Sequence, residues 1–417
     1  MSMIGITQCQ INYRDIITIN DVKLIADNSL RDDVKVLDYS IQPYAQGKIG
    51  FLSSHHSLKI TVRRKHHHHD SSIIIEFFVK TIPYEVPRQA KYIEERGVFK
   101  QEAIFFNEIV PQLTHEYNGN HWGPKCYLIK KDALVFEDLG HKGFKMRGNL
   151  FDETLIKSGL RTLASFHAAS LIAEQRLGRP LNEIYHHGFK ERAFITVGNR
   201  YRWYQAGIDV AMKIAEKMGL ETKFISAACN QVFKAVKPSK TKQNVVSHGD
   251  LWSNNLMFDD DSPPNCRLVD FQLLRYSPLG HDVAQFLYLC ASRHLRDTKT
   301  TELLKYYHET IIFYLNMNSN IKVSLPTWQE IFRGYEEQKL AAVVTAIMYL
   351  PIVLLDSPLG DEVMNDSERY ATFIFHDRRD IVINNMNIDV NYNSRLTEIT
   401  EELVEMSLKM DSLSVPT

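Results

Sequence analysis

Two neighbouring segments of the sequence carry the residue types that phosphoryl transfer requires. Residues 247–255 read Ser-His-Gly-Asp-Leu-Trp-Ser-Asn-Asn, which reduces to His-x-Asp-x-x-x-x-Asn. Residues 268–272 read Leu-Val-Asp-Phe-Gln and place a carboxylate after an apolar run. In kinases an Asp takes the proton of the attacking hydroxyl, while an Asn and a second Asp hold Mg²⁺ against the ATP phosphates. The spacing therefore favours a phosphotransferase site over two ordinary turns.

Each polar side chain in these segments has an expected role. Asp250 is the candidate base, and Asn255 and Asp270 are candidate ligands because Mg²⁺ prefers hard oxygen donors. His248 belongs to the catalytic segment, where we expect it to brace the loop by hydrogen bonding rather than to do chemistry. Asp282, at the start of a later apolar run, could cap a helix or reach back to support the catalytic loop, and the two roles are compatible.

A nucleotide-binding strand is expected upstream. Residues 71–80 read Ser-Ser-Ile-Ile-Ile-Glu-Phe-Phe-Val-Lys, a run typical of a strand, which here ends in Lys80. Kinases pair the phosphate-binding lysine of such a strand with a Glu from the next helix. Glu102 lies on an apolar helical face and is the expected partner, since an unpaired buried carboxylate is costly. Glu108 is the alternative.

Two further segments would complete a nucleotide site. Backbone groups after a second buried-looking strand are expected to read the adenine edge. The residues assigned to that edge are Phe136, Glu137, Asp138 and Leu139. A phosphate loop is expected at residues 46–54, where Gly47 and Gly50 would let backbone amides approach phosphate and Ser53 could add a hydroxyl donor. An ordinary hairpin turn would explain these glycines about as well.

The quoted residues resemble the ecdysteroid kinase-like family, which is similar to choline kinases and aminoglycoside phosphotransferases. The resemblance rests on the segments that begin at His248 and Leu268 and on Ser-Pro-Leu-Gly-His-Asp, which ends at Asp282. Trp252 and Gln272 separate it from protein kinases. It implies an α+β, protein-kinase-like two-lobed fold, with a small β-rich lobe and a large, mainly helical lobe. It also implies ATP- and Mg²⁺-dependent phosphorylation of a small-molecule alcohol, in the named activity an ecdysteroid.

The length and composition set further expectations. We expect a nucleotide-binding lobe at residues 1–138 and a lobe with the catalytic loop, metal site and acceptor pocket at residues 139–417. Lys and Arg number 49 against 50 Asp and Glu, so no overall charge indicates a nucleic-acid partner. Five scattered cysteines without Cys-x-x-Cys favour a reduced, cytoplasmic protein. The apolar run at residues 340–355 is too short for a membrane span and predicts a buried helix.

Several alternatives stay open from the sequence. A choline, ethanolamine or aminoglycoside kinase would share the catalytic residues, but its acceptor pocket would need acidic and aromatic groups where a sterol needs a wide apolar cleft. A binding protein that keeps the fold would bind Mg·ATP without turnover. A protein kinase is disfavoured because only eleven residues separate Asp270 from Asp282.

Other features carry weaker expectations. The histidine run His66–His69 fits a solvated hairpin tip better than a metal site. The Asn-rich stretch from about residue 376 is expected to be a loop, followed by an amphipathic stretch near residues 395–410. The sequence does not indicate the oligomeric state.

Overall fold

The computed structural model describes residues 12–30, 34–44, 53–64, 72–318, 320–355 and 358–417. The strands among them are β1 Val34–Pro43, β2 Ser54–Arg64, β3 Ile73–Thr81, β4 Cys126–Ile129, β5 Ala133–Glu137, β6 Lys145–Met146, β7 Asn244–Ser247, β8 Leu256–Phe258, β9 Cys266–Leu268 and β10 Arg275–Pro278. The α-helices are α1 Tyr13–Ile16, α2 Ile19–Leu30, α3 Pro87–Arg96, α4 Val98–Ile104, α5 Val110–Thr114, α6 Glu153–Leu177, α7 Leu181–Ile184, α8 Gly198–Lys217, α9 Ile225–Cys229, α10 Val232–Ala235, α11 Gly280–Cys290, α12 Arg293–Met317, α13 Trp328–Val353, α14 Leu359–Asn365, α15 Ser367–Phe375, α16 Arg379–Ile388 and α17 Val390–Leu408.

The chain divides into two compact units whose segments interleave. The first contains residues 1–107 and 124–143, and the second contains residues 108–123 and 144–417. We predicted a single boundary between residues 138 and 139, which places the excursion 108–123 in the first region. In the structure residues 108–123 are hydrogen-bonded to α6, because Arg176 Nη2 donates to the carbonyl oxygen of Gln112 at 2.8 Å.

The first unit is built on a five-stranded antiparallel sheet with the order β1-β2-β3-β5-β4. Strand β3 is rich in β-branched and aromatic residues and pairs on both sides, with β2 and with β5. Alternate residues of β2, among them Leu58 and Ile60, are fully buried and form a core with Val22 and Ile25 of α2. This alternation fixes which face of each strand is buried, and so holds the end of β3 in register with β5.

The second unit is mainly helical and surrounds a few short strands. Strand β7 pairs antiparallel with β10, and β8 lies between β6 and β9. Helix α11 follows β10 and is buried along its whole length. It packs closely on α13 where Gly280 meets Gly334, since a Cβ on Gly280 would lie 2.3 Å from the Gly334 carbonyl carbon. The α+β class is confirmed, with a β-rich first unit and a helical second unit.

Two helical regions test further expectations. The apolar run 340–355 lies largely within α13, which is buried there and ends two residues after Pro351, as the proline predicts. In the described part of the chain, no helix has both the length and the apolar character that a membrane crossing needs. The Asn-rich stretch was expected to be a loop, but it forms α16 and the start of α17, because Val382 and Tyr392 are buried and anchor it.

Candidate active site

Lys80 and Glu102 form a buried ion pair in the first unit. Lys80 stands at the end of β3 and is 5% exposed, whereas Glu102 lies on α4 and is 1% exposed. Lys80 Nζ donates to Glu102 Oε2 at 2.6 Å. This is the pairing expected from the sequence. The alternative carboxylate, Glu108, instead contacts His187 Nε2 at 3.0 Å in the second unit. The role of the pair toward a nucleotide stays a prediction.

The segment expected to face adenine ends β5. Phe136 is buried against Phe106, and Leu139 is buried as well. Asp138 is also buried, and its Oδ1 accepts from the Tyr44 hydroxyl at 2.9 Å and from the Gly140 nitrogen at 2.9 Å. Burial, followed by the field of Asp138, raises the pKa of Tyr44. The Asp138 carboxylate therefore fixes the turn that follows the strand.

Glu137 and the phosphate-loop candidates, Gly47, Gly50 and Ser53, were also assigned to the nucleotide site. Glu137 Oε1 accepts from the Lys125 nitrogen at 2.8 Å, so its side chain anchors the neighbouring segment. Ser53 is buried, and its hydroxyl lies 2.8 Å from His55 Nε2. Gly47 and Gly50 lie outside the described residues, as does the histidine run 66–69.

The candidate catalytic loop, residues 248–255, leaves β7 through a sharp turn at Gly249. This glycine has φ +74°, and a Cβ there would lie 2.2 Å from the carbonyl oxygen of Leu273. Both the positive φ and the close approach require glycine. The turn brings Asp250 into a buried position facing Asn255, which is also buried.

Asn255 is oriented by Asp250. Its Nδ2 donates to the backbone oxygen of Asp250 at 2.7 Å and to Asp250 Oδ2 at 3.2 Å. These two bonds place the amide nitrogen toward Asp250 and turn the amide oxygen, Oδ1, to the opposite side. The loop therefore presents a neutral oxygen donor, Asn255 Oδ1, beside the Asp250 carboxylate.

His248 joins the catalytic loop to the segment that carries Asp270. Its Nε2 donates to the carbonyl oxygen of Val269 at 2.9 Å, and its Nδ1 accepts from the Asp250 nitrogen at 3.3 Å. Because a carbonyl oxygen can only accept, Nε2 carries the proton and the imidazole can be neutral. Both ring nitrogens are engaged in bracing, the arrangement expected for a support.

Asp270 follows β9 in a left-handed backbone conformation with φ +67°. Asp is one of the few residues that tolerate this region. The preceding nitrogen, of Val269, donates to the Asn255 backbone oxygen at 3.0 Å, so Asp270 emerges beside Asn255. Gln272 Nε2 donates to Asp270 Oδ2 at 3.1 Å and orients the carboxylate.

Asp282 supports the loop from α11. Its Oδ2 accepts from the His248 nitrogen at 2.6 Å, and its Oδ1 accepts from the Gly249 nitrogen at 3.0 Å. It is the third residue of the helix and does not cap it, since the cap position is Leu279. His167 Nε2 lies 3.2 Å from Asp282 Oδ2, and the Tyr307 hydroxyl lies 2.6 Å from His167 Nδ1.

This network keeps the Asp282 carboxylate ionised and fixes which ring nitrogen of His167 donates to it. Burial would raise the pKa of Asp282, but hydrogen bonding to His167 and the nearby imidazoles lower the pKa to about 2. A carboxylate only accepts, so His167 Nε2 carries a proton and donates to Asp282 Oδ2. His167 is thus a core histidine with a hydrogen-bond partner at each ring nitrogen, and it positions Asp282.

Sequence reasoning missed several supports of the loop. Gln285 Oε1 accepts from the Leu251 nitrogen at 3.2 Å, and Gln285 Nε2 donates to the Gly249 oxygen at 3.2 Å. Arg275 Nη1 donates to the same Gly249 oxygen at 2.8 Å, and Arg275 Nε contacts Glu191 Oε2 at 2.6 Å. The i, i+3 spacing of Asp282 and Gln285 could have indicated that both face the loop, but nothing local points to Glu191.

The donor set fits Mg²⁺. Asn255 Oδ1 and the Asp270 carboxylate are hard oxygen donors on two segments joined by hydrogen bonds. Within the described ranges, no group of three or more His, Cys, Asp or Glu side chains could hold a metal ion by itself. A pair of protein ligands completed by substrate phosphates is the usual arrangement for this cation.

Comparison with known proteins defines the class of this chain. Residues 49–319 match the model of the ecdysteroid kinase-like family. The match covers more than half of the sequence, so the chain belongs to that family, which is one of kinase-like small-molecule phosphotransferases. No curated protein sequence matches the chain significantly.

Among the solved structures that the chain matches is an ethanolamine kinase of Plasmodium vivax, with 10% identity, a TM-score of 0.40, and coverage of 92% of this chain and 86% of that one. A microcompartment-associated aminopropanol kinase has 15% identity and a TM-score of 0.42, covering 93% and 98%. The ADP-bound aminoglycoside phosphotransferase APH(2'')-Ib has 12% identity and a TM-score of 0.33, covering 91% and 97%.

Proposed function

We propose that this chain is an ATP- and Mg²⁺-dependent O-kinase that phosphorylates a hydroxyl of an ecdysteroid or a similar apolar alcohol. The observation that carries the proposal is the orientation of Asn255 by Asp250, at 2.7 and 3.2 Å, in a chain of this family. A base and a metal ligand that hold each other in one loop are what in-line transfer to a hydroxyl requires.

In this proposal Asp250 orients the acceptor hydroxyl and takes its proton as that oxygen bonds to the γ-phosphorus of ATP. The bond from this phosphorus to the bridging oxygen breaks at the same time, and ADP leaves. Asn255 Oδ1 and Asp270 would hold Mg²⁺, which would neutralise phosphate charge. His248, Gly249 and Asp282 act through the loop backbone, keeping the Asp250 carboxylate in position. General-base assistance of this kind contributes roughly 10²- to 10⁴-fold in rate.

The nucleotide is assigned to the first unit. Lys80, held by Glu102, would contact the ATP phosphates, and the backbone of residues 136–139 would bind the adenine edge. Gly47, Gly50 and Ser53 would approach the phosphates from the preceding loop. We place the activity in the cytoplasm, a proposal supported by the four described cysteines, which are all free thiols.

A panel of acceptors tests the proposal. The purified protein is incubated with Mg·ATP and ecdysteroids, other sterols, choline, ethanolamine and aminoglycosides, and phosphorylated products are sought by mass spectrometry. We expect a phosphorylated ecdysteroid or other sterol that is lost in the Asp250→Ala variant. Product from cationic amines alone would replace the proposed acceptor class, and ATP binding without any product would point to a binding protein.

A further inference from the structure

The peptide group that joins Gly249 to Asp250 is held by side chains at both of its edges. Its oxygen, that of Gly249, accepts from Arg275 Nη1 at 2.8 Å and from Gln285 Nε2 at 3.2 Å. Its nitrogen, that of Asp250, donates to His248 Nδ1 at 3.3 Å. Because a peptide group is planar, bonds at both edges fix the direction in which the chain enters Asp250.

Two opposite charges act on the backbone of Gly249. Asp282 Oδ1 accepts from its nitrogen at 3.0 Å, and the Arg275 guanidinium donates to its oxygen at 2.8 Å. A Cβ at Gly249 would lie 3.0 Å from Arg275 Nη1, so the guanidinium lies directly against this residue. Arg275 begins β10 opposite Ser247, the last residue of β7, and therefore stands where the catalytic loop leaves the strand. Arg275 and Asp282 together hold Gly249 at its positive φ.

Glu191 fixes the direction of this guanidinium. Arg275 Nε donates to Glu191 Oε2 at 2.6 Å, and Arg275 Nη2 donates to Glu191 Oε1 at 3.1 Å. Two bonds between a carboxylate and a guanidinium set the plane of the guanidinium as well as its place. In this plane Nη1, the third nitrogen, is directed at the oxygen of Gly249.

Glu191 lies between α7 and α8, and its own backbone holds it. Its Oε1 also accepts from the Ala193 nitrogen at 2.7 Å and from the Phe194 nitrogen at 2.8 Å. Burial alone would raise the pKa of Glu191, but the charge and hydrogen bonds of Arg275 lower this pKa, so the carboxylate is ionised at neutral pH. The side chain of Arg275 is 2% exposed and that of Glu191 is 22% exposed. The buried cation therefore relies on this carboxylate for its charge balance.

We propose that Glu191 is a positioning residue for Asp250, which acts through Arg275 to fix the peptide group before the base and thereby determines the turnover rate. This inference rests on the proposed function for the role of Asp250. It adds the connection between α7 and α8 to the segments that control the base. Because the nucleotide is assigned to the first unit, loss of Glu191 should change kcat and leave the KM for ATP nearly unaltered.

Glu191→Gln is the first test. Its amide oxygen can still accept from the nitrogens of Ala193 and Phe194, which directs the NH₂ group at the donor Arg275 Nε. Two donors repel each other, so the guanidinium should turn away from Gly249. Displacement of a reacting group by about 1 Å can cost roughly 10²-fold in rate, so we expect kcat to fall about 10- to 100-fold. The KM for ATP should change by less than about twofold.

The assay conditions separate this role from a structural one. A loss of stability alone leaves the kcat of the folded protein unchanged when turnover is measured well below the unfolding temperature. Glu183→Gln is the matched control, because Glu183 of α7 pairs with Arg179 at the surface and its side chain is 57% exposed. Where Glu191→Gln does not fold, Glu191→Asp replaces it, since it keeps the charge and withdraws the carboxylate by one methylene. Wild-type kcat in the folded variant overturns the proposal.

A double variant tests whether Glu191 acts through Arg275. Arg275→Met should lower kcat at least as much as Glu191→Gln. The variant with both substitutions leaves no buried charge unpaired, and its kcat should equal that of Arg275→Met, because the second change removes nothing further. Additive losses in kcat would mean that Glu191 acts by another route and would overturn the proposal.

Hydrogen exchange separates this inference from the proposed function, because it requires no turnover. In peptides that cover residues 247–255, the amides should exchange faster in folded Glu191→Gln than in wild type, and Glu183→Gln should match wild type. If wild type phosphorylates no alcohol but this difference is found, the kinase proposal fails and the positioning of the loop by Glu191 stands. Phosphorylation by wild type, together with wild-type exchange and kcat in Glu191→Gln, keeps the kinase proposal and overturns the role of Glu191.

Discussion

The carboxylate of Asp282 lies 2.6 Å from the backbone nitrogen of His248, and through its second oxygen it also holds the nitrogen of Gly249. One side chain of α11 thus binds two successive amides immediately before Asp250. Because a carboxylate accepts both bonds and an amide side chain cannot, the charge of Asp282 is part of the loop geometry. This relationship links helix packing in the second unit to the position of the proposed base.

Asp282→Asn should therefore impair turnover more than nucleotide binding. The NH₂ group of the new asparagine would face one of the two backbone N–H groups. Two donors repel each other, so the loop would shift. Displacement of a reacting group by about 1 Å can cost roughly 10²-fold in rate. Steady-state kinetics should show kcat reduced by about this factor with the ATP dissociation constant unchanged. Asp389→Asn, at the half-buried cap of α17, is the control. An unaltered kcat in Asp282→Asn would contradict the proposed role of its charge.

The pH dependence of stability provides a separate prediction for Asp282. Burial alone would raise the pKa of Asp282, but hydrogen bonding to His167 lowers this pKa to about 2 from an ordinary 3.8. A depressed folded-state pKa stabilises the protein above pH 3.8, and this contribution is lost as the pH falls toward 2. In urea unfolding, the difference in free energy between wild type and Asp282→Asn should shrink over that interval. A difference that stays constant with pH would mean that the charge of Asp282 does not contribute to the free energy of unfolding.

Gly249→Ala should be far more damaging than Gly143→Ala. Both glycines have positive φ, of +74° and +85°, so each substitution pays a similar backbone strain of roughly 1–2 kcal/mol. A Cβ at Gly249 would also collide with the Leu273 carbonyl oxygen, whereas nothing described lies within 4 Å at Gly143. Thermal unfolding and activity should both fall in the first variant, with activity kept in the second. Equal losses would show that the close approach is unimportant.

Local sequence spacing was sufficient for some parts of the site and insufficient for others. The contact between Lys80 and Glu102 was predictable because a strand followed by a helix brings the two residues together. The hydrogen bonds between Asn255 and Asp250 were not predicted, although a short loop joins the two residues. Glu191, 84 residues from its partner Arg275, gave no such signal, since only the tertiary fold makes the contact.

The fold was predictable to a similar extent. The family resemblance implied the α+β class, which the structure confirms, and the apolar run at residues 340–355 predicted a buried helix, which is α13. The helices in the Asn-rich stretch were missed, because sparse anchors such as Val382 and Tyr392 outweigh the low helical propensity of asparagine. The hydrogen bond from Arg176 of α6 to Gln112 gave no local signal, for the same reason as Glu191, because its partners are distant in sequence.

Lys80→Met should weaken ATP binding and lower the stability of the first unit. Removing one partner of a buried pair leaves Glu102 as a buried carboxylate without its cation, at a cost of roughly 3–5 kcal/mol. Lys59→Met is the matched control, because Lys59 pairs with Glu76 across β2 and β3 with its side chain 47% exposed, and it should be nearly neutral. Calorimetric titration with ATP and thermal unfolding measure both effects. Wild-type ATP affinity in Lys80→Met would remove the lysine from the nucleotide site.

Asn255→Ala should raise the Mg²⁺ concentration needed for half-maximal activity. The variant removes the proposed Oδ1 ligand and also the Nδ2 bonds that hold Asp250. Titration of turnover with Mg²⁺ separates the two losses, since a lost ligand shifts the midpoint and a displaced base lowers the maximum. An unchanged midpoint would argue that Asn255 is not a metal ligand.

Asp250 is the proposed base for phosphoryl transfer to an alcohol. The most direct test of this role compares wild type with Asp250→Ala in single-turnover phosphorylation of an acceptor identified by the product panel, together with the ATP dissociation constant and thermal unfolding of each. We predict a rate reduced roughly 10²- to 10⁴-fold, with ATP binding and folding preserved. Undiminished phosphorylation by a folded Asp250→Ala protein would contradict the claim.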